Sequence, residues 1–97
     1  MGLTNNIAIG QVVKSSAGRD EGNIFLVLEV VDDKHVLIVN GKLRKLSSPK
    51  KKKMKHLIVY NTVLSELQHR LENNLELNDA YVRKLLEPFN SVEKQCK

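Results

Sequence analysis

Hydrophobic and polar positions divide this 97-residue chain into two halves of different period. Up to Tyr60 the apolar residues come in short, β-branched runs separated by polar or glycine-bearing turns, which predicts strands. In the first run, residues 7–13, Ile7, Ile9 and Val13 share one parity while Ala8 and Val12 take the other. The second run, residues 24–31, is apolar everywhere but Glu29, the pattern of a strand buried on both faces. Between them, residues 17–23 (AGRDEGN) are too polar for a core, and Gly18 and Gly22 supply the positive φ of a tight turn. The two runs are expected to form a hairpin with an exposed tip.

Asp32-Asp33-Lys34 reads as a turn, because short acidic side chains bond their own backbone two residues on. A third strand is expected over residues 35–39 (HVLIV). Asn40-Gly41 then suits a type I′ turn, and the alternation of residues 42–46 (KLRKL) predicts a fourth strand completing a hairpin. Ser47-Ser48-Pro49 breaks that strand, and the lysines at 50–53 are expected to lie wholly on the surface. Residues 56–60 (HLIVY) predict a fifth strand that closes a small barrel against the first.

From Thr62 the period becomes helical. Thr62 is a candidate N-cap, and Leu64, Leu67 and Leu71 fall on one stripe that ends at Asn73-Asn74. Asn78-Asp79 opens a second helix in which Val82, Leu85, Leu86 and Phe89 share a face, with Pro88 marking its end. The chain thus divides into a barrel at 1–61, a helical appendage at 62–90 and a flexible tail at 91–97. The expected fold is mainly β, a five-stranded barrel with two short C-terminal α-helices.

Charge changes the picture once it is located. Residues 42–56 carry eight basic and no acidic side chains, whereas the segments on either side are each slightly acidic. The whole excess of +5 therefore sits in one stretch, and that is a patch. Lys42, Arg44, Lys45, Lys50, Lys51, Lys52, Lys53, Lys55 and His56 are candidate phosphate contacts, the lysines as point charges and Arg44 as a bidentate donor. A nuclear localisation signal is the lesser alternative for the lysine run. Phe25, Tyr60, Tyr81 and Phe89 all lie in apolar runs and are expected in the core. Recognition by shape and backbone charge of structured RNA follows, with duplex DNA disfavoured.

The glycine loop carries a resemblance. Residues 18–23 (GRDEGN), preceded by residues 10–13 (GQVV) and followed by residues 27–30 (VLEV), resemble a KOW motif, whose invariant glycine falls on Gly22. Glu21 stands where many such loops have lysine, and Phe25 where they have a second glycine. With residues 41–45 (GKLRK) and 49–57 (PKKKKMKHL), the chain resembles the large-subunit ribosomal KOW proteins and their bacterial relatives, KOW-domain RNA-binding proteins. The resemblance implies an SH3-like (KOW) barrel, RNA contact by Arg19 in a loop shaped by Gly18, Asp20 and Gly22, and ribosomal RNA, with ribosomal proteins, as partners.

Enzymatic constellations are missing. His35, His56 and His69 lack metal-ligand spacing, the serines lack a nucleophile elbow, and no phosphate-loop lysine follows Gly22. The acids Glu66, Glu72, Glu76 and Asp79 read as solvent faces of helices. No catalytic residue, metal or cofactor is expected. No apolar run is long enough to span a bilayer, residues 1–6 do not have the order of a secretory signal, and the single Cys96 excludes an internal disulfide, so a cytoplasmic protein is expected. The alternative function is a protein-interaction module, serving transcription elongation or the ribosome, that docks through the helical face of Leu64, Leu67, Leu71, Val82 and Leu85.

Overall fold

The computed structural model describes residues 7–95, with side chains as far as residue 90. The elements are β1 (Gln11–Ser15), β2 (Ile24–Val30), β3 (His35–Val39), β4 (Lys50–Lys53), a 3-10 turn (Met54–His56), β5 (Leu57–Val63), α1 (Ser65–Glu72) and α2 (Asp79–Gln95). The strands form one antiparallel sheet in the order β4-β3-β2-β1-β5.

Strand alternation sends the apolar residues of β1 and β2 into two cores. Val12, Ile24 and Leu26 join Val39, Leu67, Val82 and Leu86 on the face that the helices cover. Val13, Phe25 and Val27 join Val36, Ile38 and Leu57 on the other face, where Ile7 and Met54 pack against them. The near-continuous apolar run of β2 thus has a physical cause, since both of its faces are buried. The second core exists because the sheet curls. The 3-10 turn carries the chain from β4 at one edge to β5 at the other, a step of about 8 Å at its rise per residue. Five strands laid flat would hold those edges about 19 Å apart.

Curling stops short of the closed barrel that the sequence predicts. β5 pairs with β1 as expected, but no ladder joins β4 to β5. The 3-10 turn consumes the residues that would extend either edge strand toward the other. A bulge opposite Val12 also bends β5, and Gln11 Nε2 fills the gap by donating to the Tyr60 carbonyl at 2.8 Å.

A second correction concerns β4. Residues 42–46 form a loop, and the strand paired with β3 is the lysine run itself. Asn40-Gly41 does turn the chain, but only Gly41 has positive φ (+77°), which is not the type I′ geometry. Instead Asn40 Oδ1 accepts from the Lys42 and Arg44 amides, both at 3.0 Å. The Asp32 turn matches expectation, with Asp32 Oδ1 accepting from the Lys34 and His35 amides at 2.8 Å. The Lys34 amide, aided by the His35 side chain, lowers the Asp32 pKa to about 2.

The helices pack on the sheet. Thr62 lies within β5, and Leu64 takes the N-cap position of α1 without a side-chain cap. Leu67 and Val82 are fully buried and Leu64 and Leu85 pack beside them, so these four residues of the apolar face considered for partner docking are spent on the sheet, whereas Leu71 is 38% exposed. Asn78 caps α2 by accepting the Tyr81 amide at 2.8 Å. The helix continues through Pro88 to Gln95, into the segment read as a tail. Pro88 is exposed, so water can satisfy the carbonyl that loses its donor. Phe89 meets Tyr60 edge-on at 6.3 Å and anchors the helix beyond the proline. Residues 1–6 and 96–97, with Cys96, lie outside the described residues. Among the described residues no helix is long and apolar enough to cross a membrane.

Candidate nucleic-acid interface

The site is assembled from the β1–β2 loop, the loop at residues 40–49 and β4. The first is a tight turn in which the Gly22 amide donates to the Ser15 carbonyl at 2.8 Å and the Ser15 amide donates to Asn23 at 3.0 Å. Gly18 and Gly22 have φ of +78° and +90°, the left-handed conformation that glycine adopts without a Cβ clash. Arg19 and Glu21 are exposed at the tip, whereas Asp20 is 3% exposed.

Asp20 explains how the two predicted stretches meet. Arg44 Nη2 donates to Asp20 Oδ2 at 3.0 Å, and Nε is 3.3 Å from both carboxylate oxygens. This fork ties loop 40–49 to the glycine loop across 24 residues of sequence. Arg44 was a candidate bidentate donor to phosphate; in the structure its fork is occupied by a carboxylate. One donor and one acceptor from α2 complete the seating. Arg83 Nη1 donates to the Gly41 carbonyl at 2.6 Å, and the Leu46 amide donates to Asp79 Oδ1 at 2.9 Å. Asp79 is therefore not the solvent-facing acid that its helix position suggested.

Strand pairing sorts the lysines of β4. Lys50 and Lys52 lie opposite Ile38 and Val36, whose side chains are buried; Lys51 and Lys53 lie opposite Leu37 and His35. Lys52 accordingly departs from the expectation that the whole run lies on the surface. It is 9% exposed, and its Nζ donates to the Ala17 carbonyl at 3.0 Å, a second tie to the glycine loop. Its stem is covered while its head is satisfied by a backbone acceptor. Lys51 and Lys53 are exposed and, two strand residues apart, are separated by about 6.7 Å.

The remaining candidates fall around this frame. Arg19, Lys42, Lys45 and Lys55 are exposed, and Lys50 and His56 are half-buried. Sequence reasoning passed over Leu43, at the tip between Lys42 and Arg44 and 64% exposed. It fell within the alternating run 42–46 read as a strand, so its exposure left no signal. Arg83 was also missed, since nothing in the sequence points it at a loop some 40 residues earlier. No group of three or more histidine, cysteine or acidic residues among the described residues could hold a metal ion.

Fold and site together define a class, a small curled antiparallel sheet with helices on one face and exposed cations along one edge and its adjoining loops. No protein-family model matches the chain. Over 63 residues, 65% of this chain and 85% of the relative, it is 35% identical to a Bacillus subtilis (strain 168) protein named "Putative ribosome-binding protein YbzG". The chain belongs to the family of that protein.

Proposed function

We propose that the chain is a non-catalytic, ribosome-associated protein that binds structured RNA, ribosomal RNA foremost. The contacts are Arg19, Lys42, Lys45, Lys51, Lys53 and Lys55, all exposed. The observation that carries this reading is the joining of two stretches into one frame. Asp20–Arg44 and Lys52–Ala17 hold the glycine loop against a segment with eight basic and no acidic side chains. Such a surface suits the closely spaced phosphates of a folded RNA. The printed name of the Bacillus subtilis relative supports the ribosome as the setting. A cytoplasmic location and contact with neighbouring ribosomal proteins belong to the same proposal.

We read the curled sheet as an open form of the SH3-like KOW barrel, and the glycine turn between β1 and β2 supports this. In that form the roles divide. Asp20, Arg44 and Lys52 fix the geometry, and the exposed cations make the contacts.

The test is RNA affinity as a function of salt. With about five phosphates neutralised on irregular RNA, the log–log slope is expected near −3.5. Replacing Lys51 and Lys53 by alanine is expected to weaken binding and flatten that slope by about 1.4. Unchanged affinity for ribosomal RNA in the double variant contradicts the proposal.

A further inference from the structure

Leu43 is the most exposed of the large apolar side chains in the described residues, at 64% against 51% for Ile58, the next. A single exposed leucine on a protein surface is ordinary. What sets this one apart is the rigidity of its support and the company it keeps.

The tip cannot readily turn Leu43 inward. The Asn40 side-chain oxygen accepts from the amides of Lys42 and Arg44, the residues on either side of it. The amides of Asn40 and Gly41 both donate to the Arg44 carbonyl, at 2.8 and 3.1 Å. Gly41 sits hard against α2, where a Cβ would lie 2.5 Å from the Asp79 carbonyl oxygen. Arg83 holds the Gly41 carbonyl and Asp20 holds the Arg44 side chain. The loop therefore presents an apolar side chain on a fixed backbone, with exposed Lys42 and Lys45 beside it.

Resting on the RNA-binding reading, we propose that Leu43 is an apolar contact for a base, lying against an unstacked nucleotide or the open end of a base-pair stack. Cations beside an apolar tip match a ligand whose apolar faces are bordered by phosphates, and leucine is among the side chains that wedge at base steps. The aromatic residues, which would ordinarily supply a stacking platform, are engaged elsewhere. Phe25 is buried, Tyr60 and Phe89 pack on each other, and Arg70 lies over the Tyr81 ring at 4.1 Å. Leu43, the most exposed large apolar side chain among the described residues, is the apolar group that this loop offers a base.

The test uses the full chain and ribosomal RNA purified from bacterial large subunits, with affinity measured across a salt series. Leu43→Ser is expected to weaken binding by about tenfold, the scale of burying most of a leucine side chain. The salt slope should stay unchanged, because no counterion is released by an apolar contact. Leu43→Phe should restore or tighten binding, and the melting temperature of both variants should match the parent. Affinity of Leu43→Ser within twofold of the parent, while Lys51→Ala/Lys53→Ala still weakens binding, overturns the role of Leu43 and leaves the RNA reading standing. Loss of ribosome co-sedimentation by Leu43→Ser without loss of RNA affinity assigns the tip to a protein surface and also overturns it. If the lysine variant binds RNA as well as the parent, the RNA reading falls and takes this inference with it.

Discussion

Asp20 and Arg44 meet through three contacts of 3.0–3.3 Å, with the carboxylate buried and the guanidinium 29% exposed on its side chain. Removing one partner strands the other, and the cost falls mainly on the side that water cannot reach. Arg44→Ala is expected to destabilise the fold by about 1–3 kcal/mol, and Arg44→Lys by less, since a lysine can make only part of the fork. Denaturant unfolding measures both. A phosphate-contact role for Arg44 predicts instead full stability with reduced RNA affinity. Asp32 gives a pH test at the same scale. Its pKa is lowered from 3.8 to about 2, so its bonds to the Lys34 and His35 amides support the fold above pH 3.8. That support is lost as the pH falls through about 2. Carboxyl chemical shifts followed through an acid titration should place the Asp32 midpoint near 2; a midpoint near 3.8 would contradict the turn geometry. The sequence made Arg44 legible as a cation and Asp32 as a turn former. The difference is range: Asp32 bonds residues two and three away, whereas the partner of Arg44 lies 24 residues back.

At the scale of elements, β1, β2, β3, β5 and both helices stand near the places that hydrophobic periodicity predicted, because each buries a face whose spacing is local. β4 does not. Residues 42–46 alternate as a half-buried strand should, but Arg44 and Leu46 are turned inward by Asp20 and Asp79, contacts that no local pattern encodes. The lysine run can be a strand because it lies at the sheet edge, where only one side needs a partner and charge deters further pairing. The site was legible to the same degree. Its cations and its glycine turn could be read, but not which lysine is buried. Lys52→Ala is therefore expected to loosen the glycine loop, whereas Lys51→Ala should leave it in place and act on RNA affinity alone. Hydrogen exchange at the Gly22 and Asn23 amides separates the two, with faster exchange expected only for the Lys52 variant. Leu67 tests the helical layer. Fully buried between α1 and the sheet, it should cost about 2–5 kcal/mol as Leu67→Ala, read by thermal or denaturant unfolding.

Taken whole, the molecule segregates its charge. A core that fills both faces of a curled sheet leaves the 3-10 turn and β4 at one edge, and the cation-rich stretch from 42 to 56 runs through both. An electrostatic surface of this kind makes affinity steeply dependent on salt, so on the proposed reading RNA should be held at low ionic strength and released at high. The most direct measurement is sedimentation of a native lysate through density gradients at low and high salt, with the protein located in each fraction. Co-migration with the large ribosomal subunit at low salt, lost at high salt and weakened by Lys51→Ala/Lys53→Ala, is the predicted result. Migration with free protein at both salt concentrations would contradict the account.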